Sequence, residues 1–203
     1  MLASIRDHAG RASGSMEQEE GQSPKMSPKQ KQKATEELFR AARDGDCEQL
    51  GSLLDAGVYV DTVASAASDD TVCALVTAVD SNQESAVKLL LSHGADTNLY
   101  NIACSTGWTP LMTAAFEGFL PSVQELMLAP TIDVSAVHPA FGATALHFAC
   151  ATGFSECAEL LVLQGADMKL KDANGDTVLD AAGNAGHTEV HAGMSREVGS
   201  RAK

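Results

Sequence analysis

The sequence predicts an all-α solenoid: stacked helix–turn–helix units joined by hairpin-like loops and flanked by disordered tails. Three observations lead to this fold class. A leucine recurs at Leu38, Leu75, Leu111, Leu146 and Leu179, with separations of 37, 36, 35 and 33 residues. These converge on a period near ~33, the spacing of a repeat architecture. Around the leucines sit short stretches with small residues at helical spacing, such as Ala114 and Ala115 after Leu111, closed by a glycine in four of the five. The apolar stock is 44% of the chain, yet aromatics are only 4%. Such a composition packs small helices closely and does not wrap a large cofactor; none is expected.

The elements follow in order. Residues 1–34, rich in Gln, Lys, Ser, Pro and Glu, are expected to form a disordered arm. Repeat units are expected near 35–70, 71–106, 107–141, 142–174 and 175–191, with a tail over 192–203. In four units the first helix ends at a glycine that tolerates the left-handed conformation, Gly45, Gly118, Gly153 and Gly186. A second amphipathic helix follows, for example "AVKLLLSHG" or "CAELLVLQG". No such pair can bury its apolar face alone, so the units must stack. The fifth unit loses its second helix after a few residues, which predicts a weak C-terminal cap.

Charge divides unevenly along the chain. Residues 1–34 carry six Lys/Arg and four Asp/Glu, residues 35–191 five against 22, and residues 192–203 three against one. The balances of +2, −17 and +2 sum to the net −13. A body this acidic repels a phosphate backbone, which argues against nucleic-acid binding by the folded part and favours a partner with a basic segment. Five scattered cysteines, with no C-x-x-C pair, fit reduced thiols in a cytoplasmic protein, with the nucleus also open. Asp7 and the acidic "MEQEE" argue against a mitochondrial presequence, and no apolar run is long enough for a secretory signal or a membrane span. Ser23-Pro24 and Ser27-Pro28 offer phosphorylation sites in the arm.

The stretches "GWTPLMTAAFEGF", "GATALHFACATGF", "SAVKLLLSHGADTN" and "LVLQGADMKLKDANGDTVLDAA" together resemble ankyrin repeats, whose pattern runs TPLHxAAxxGH and then LLxxGADxN. The resemblance covers about residues 35–191. Departures are specific. The first unit lacks Thr-Pro, and the second has Cys73-Ala74 in its place after an expanded loop, "TVASAASDD". The third replaces Gly-Ala-Asp with "APTID".

His147, Cys150 and Cys157 fall within eleven positions and invite a metal or nucleophile reading. The sister units answer it. His147 aligns with Phe39, Val76, Met112 and Asp180, and Cys150 with Ala42, Val79, Ala115 and Gly183, so these are scaffold positions. A reactive thiol also needs an electropositive setting, which this body does not provide. His187 and His191 could share a metal, but no third ligand is evident, and no phosphate-loop, dinucleotide, zincin or nucleophile-elbow motif occurs.

The resemblance implies a non-enzymatic protein-binding module, monomeric, acting through its concave face as adaptor, inhibitor or regulatory subunit. It maps outward-facing positions onto Trp108, Phe116 and Glu117 in the third unit, and onto Ala140, Phe141, Ala143, Ala151 and Thr152 in the fourth. The second unit supplies Asp69, Asp70 and Asp80, the fifth Ala173, Asn174 and Asp176, and the loop before the third adds Tyr100. Trp108, Phe116, Phe141 and Tyr100 would form an aromatic centre flanked by Asp69, Asp70, Asp80 and Glu117. Phe148, by contrast, is expected in the core. Two further roles stay open. Asn98 lies where ankyrin asparagines resemble hydroxylation sites, and the basic arm Lys25–Lys33 could act in targeting.

Overall fold

The computed structural model describes residues 27–65, 71–99, 107–190 and 192–193. The first helix, α1 (Pro28–Asp44), begins inside the segment expected to be disordered. Its start has a local cause: Ser27 and Gln30 form a capping box and Pro28 occupies the first helical position. Ala34 then buries against the repeat, so the arm expected over 1–34 gives way to helix from Pro28 onward.

Beyond α1 the chain forms α2 (Cys47–Asp55), a hairpin of β1 (Val63–Ser65) and β2 (Thr71–Cys73), α3 (Ala74–Asp80) and α4 (Glu84–Ser92). Then come α5 (Pro110–Glu117), α6 (Leu120–Met127), α7 (Ala145–Thr152), α8 (Ser155–Leu163) and α9 (Val178–Asn184). The odd-numbered helices pack in one row, α1 on α3, α3 on α5, α5 on α7 and α7 on α9. In a second row α2 packs on α4, α4 on α6 and α6 on α8. Among the described residues the extensive helix contacts thus run between neighbouring units, as in a one-dimensional stack.

The core repeats with the sequence. Leu38, Leu75, Leu111 and Leu146 are buried, and the sister alanines Ala41, Ala78, Ala114, Ala149 and Ala182 let neighbouring first helices approach. Leu50, Leu90, Leu126 and Leu161 fill the space beneath the second row. At the end of the stack Leu179 is only half-buried, because no sixth unit covers it within the described residues. The fifth unit keeps more than its sequence suggested: residues 188–190 are helical and Val190 buries in the core.

The loops are ordered by aspartates. Asp96, Asp133 and Asp167 each accept from the backbone N–H two residues on, at 2.9 Å. This is the Asx-turn that short acidic side chains favour. Asp133 thus takes over in the third unit, where "APTID" lacks the glycine, with one more residue between Leu126 and its aspartate than between Leu90 and Asp96. Adjacent loops are also tied together: Asp61 Oδ1 accepts from Asp96 N–H at 2.9 Å, and Asn98 Oδ1 from Asp133 N–H at 2.8 Å. The expanded loop before the second unit is a hairpin at its base, with Val63 opposite Cys73.

Candidate partner-binding groove

α5 and α7 place Phe116 and Phe148 on the open side of the first-helix row, and the loops before them bring in Trp108 and Phe141. With Ala140, Ala143, Ala151, Ala173 and Asn174 these rings line a groove of about 520 Å³ between the third, fourth and fifth units. Trp108 stacks on Phe148 at 4.4 Å between centroids with planes 29° apart. Phe116 meets Trp108 edge to face at 5.2 Å. Phe116 and Phe141 stand nearly perpendicular to the Phe148 ring, at 83° and 80°. Edge-to-face and offset contacts of this kind suit the aromatic quadrupole and hold the rings in place. Phe116 and Phe141 remain 42% and 54% exposed, while Trp108 is half-buried.

Two residues depart from expectation. Phe148 is not core: it is half-buried and stacks under the groove. The signal was present in its sister positions, Arg40, Thr77, Thr113 and Ala181, a series no buried apolar site would tolerate. His138, which the repeat pattern does not single out, is 1% exposed and stacks on Phe141 at 4.6 Å. Its Nδ1 accepts from the Ala140 and Phe141 N–H groups at 3.2 and 3.3 Å, so it shapes the loop that presents Phe141. Burial holds its pKa below the usual value, and the ring is kept neutral.

His147 is likewise structural. Its Nδ1 accepts from Thr144 N–H at 3.2 Å and lies 2.9 Å from the Thr144 hydroxyl, closing the capping box of α7. Its Nε2 has no hydrogen bond of good geometry, yet the backbones of Asp176 and Leu170 face it across the repeat boundary. Desolvation lowers its pKa, against the opposing pull of those backbone groups and of Asp172. Burial pushes the Cys150 thiol up to about 12 and, with the charge of Glu156 added, Cys157 to about 11. Neither is a thiolate nucleophile at neutral pH. Among the described residues no group of His, Cys, Asp and Glu is arranged to hold a metal, and no helix is long and apolar enough to cross a membrane.

The acids are placed differently from the expected flank. Glu117 is exposed beside Phe116, and Asp80 is exposed at the end of α3, but neither lines the groove. Asp69, Asp70 and Tyr100 lie outside the described residues. The carboxylate that does line it is Asp172. Desolvation works to raise its pKa, but the N–H groups of Asp176 and Asn174, at 3.0 and 2.8 Å, together with the Asn174 side chain, outweigh it. Asp172 therefore stays ionised.

Gly142 holds the groove's rim. It sits at φ +63°, and a methyl group there would lie 2.6 Å from the Ala173 backbone nitrogen, which donates to Phe141 O at 2.8 Å. Gly142→Ala is expected to cost about 1–3 kcal/mol from the left-handed backbone alone, plus the displacement of the Ala173 loop. Urea unfolding followed by circular dichroism checks this.

Asn98, the possible modification site, is half-buried and engaged with the next unit: its Nδ2 donates to Thr131 O at 2.6 Å and its Oδ1 accepts from Asp133 N–H. Any enzyme reaching that side chain must first open both bonds. Asn98→Ala is expected to lose about 1 kcal/mol in the same unfolding measurement.

A family model described as ankyrin repeats (3 copies) matches residues 38–138 and again 121–192, and the chain belongs to the ankyrin-repeat family. Ankyrin repeats mark a protein–protein interaction module. Among similar proteins, the ankyrin repeat and SAM domain-containing protein 6 of Mus musculus is 40% identical over 85 residues, 42% of this chain and 10% of that one. The E3 ubiquitin-protein ligase XBAT33 of Arabidopsis thaliana is 34% identical over 63% of this chain and 24% of its own length. The B-cell lymphoma 3 protein homolog of Mus musculus is 34% identical over 66% of this chain and 29% of its own. The chain thus spans less than a third of each of these relatives, and they differ widely in description.

Proposed function

We propose that this chain is a non-enzymatic interaction module, an adaptor, inhibitor or regulatory subunit, that binds a basic segment of a partner protein in the groove at Trp108. The observation that carries this reading is the gathering of four aromatic rings, two of them well exposed, on the open face of a rigid stack that is otherwise strongly acidic. Aromatic anchors contribute most of the energy in many interfaces. The surrounding charge of −17 over residues 35–191 steers a cationic partner towards the face and speeds encounter. Because the rings already hold one another, little ordering is needed on binding.

Catalysis has no support from the groove. Its lining offers apolar surface, one turn-bound carboxylate and a histidine engaged in a helix cap. The test is an affinity capture from cell lysate with the wild type and the Trp108→Ala/Phe116→Ala variant, repeated at low and high salt. A basic protein held by the wild type, released by salt and lost by the variant supports the reading. The same proteins on both baits would remove it.

A further inference from the structure

We infer that the groove takes an arginine side chain of the partner, its guanidinium seated against the aromatic rings and facing the Asp172 carboxylate. This rests on the proposed function and says which group of the basic segment enters. Asp172 is the one carboxylate in a mostly apolar lining that also holds His147 and Asn174, and no Lys or Arg among the described residues lies within ion-pair distance of it. Its Oδ1 accepts from the Asn174 and Asp176 N–H groups and its Oδ2 from the Asn174 side chain, which holds a negative charge in the same lining as Trp108, Phe116, Phe141 and Phe148.

An apolar side chain pressed into this groove would strip water from that carboxylate and return nothing, a cost that rises as the site dries. A cation avoids it. Over an aromatic face a cation gains from the ring quadrupole, and more so when desolvated. Arginine suits the site better than lysine, because its planar guanidinium stacks on a ring while donating in its own plane to a carboxylate. Lys171, next to Asp172 in the chain, is exposed and does not line the groove. The charge complementarity is therefore local, at one carboxylate that shares a groove with four rings, as well as global.

Trp108 is the only tryptophan of the chain, so its fluorescence reports on this groove alone. The experiment titrates the full chain with a short capped Gly/Ser/Lys peptide whose central residue is arginine, its neutral isostere citrulline, or leucine. The arginine peptide is expected to bind about 10-fold tighter than either of the others. The Asp172→Asn variant, whose side-chain oxygen can still accept the turn's N–H bonds, is expected to lose that preference while keeping its circular dichroism spectrum. Leucine binding as tightly as arginine overturns the inference. So does the absence of any Trp108 response to the arginine peptide at millimolar concentration. If, in either case, the Trp108→Ala/Phe116→Ala variant still loses its captured partner, the groove remains the binding site and only its arginine specificity falls. If the variant keeps its partner, both readings fall together.

Discussion

The Trp108→Ala/Phe116→Ala protein is expected to bind its partner at least about 100-fold more weakly than the wild type, since each truncated aromatic anchor removes ~2 kcal/mol or more. The two rings touch, at 5.2 Å, so the two losses share one contact and will not simply add. The fold should survive: Phe116 is 42% exposed, and the leucines and alanines beneath it are untouched. Removing Trp108 also frees one face of Phe148, which lowers stability somewhat without unstacking the units. Binding is therefore to be measured by calorimetry well below the variant's melting midpoint, with circular dichroism alongside. A folded variant that binds within a few-fold of the wild type would leave Trp108 and Phe116 with packing as their only role.

Leu146→Ala is expected to destabilise the chain by about 3 kcal/mol, within the 2–5 kcal/mol typical of fully buried leucines. Leu146 has no exposed surface and belongs to α7, which is held between α5 and α9. A cavity there weakens contacts on both sides of one unit, and in a stack of nearest neighbours the damage passes to the units beyond. Against a total stability of some 5–15 kcal/mol for an ordinary domain this is a large fraction. The sister change Leu179→Ala should cost clearly less, because Leu179 is half-buried in the last unit. Urea unfolding of the two variants side by side checks the ordering. Equal losses would mean that the fifth unit is as well covered as the fourth.

How much of this was legible depended on whether a residue lay on the repeat. Leu38, Leu75, Leu111 and Leu146 announce themselves by period, and the structure buries all four. The scaffold role of His147 and Cys150 was readable by comparing slots, since a position filled by Met112 or Asp180 in a sister unit is not a ligand. Phe148 yields to the same comparison: chemistry alone sends a phenylalanine inward, but its slot holds Arg40 and Thr77 elsewhere. The slot of His138 holds Lys171 in the sister loop, so the repeat comparison carries no sign that a histidine there supports Phe141. The rim acid was missed for a related reason. Asp172 serves its own turn, and nothing in its spacing shows that the turn also faces the aromatic rings. Residues 28–34 were assigned to the arm by their Lys and Gln content, but those are good helix formers once Ser27 supplies a cap.

If partners meet this protein at the groove between its third, fourth and fifth units, binding will leave its mark on the backbone there. Hydrogen–deuterium exchange of the chain with and without its captured partner tests this most directly. New protection is expected in residues 107–117, 140–151 and 172–174, with the second-helix segments 120–127 and 155–163 unchanged. Protection confined to those second helices would contradict it, and would place the interface on the opposite row of the stack.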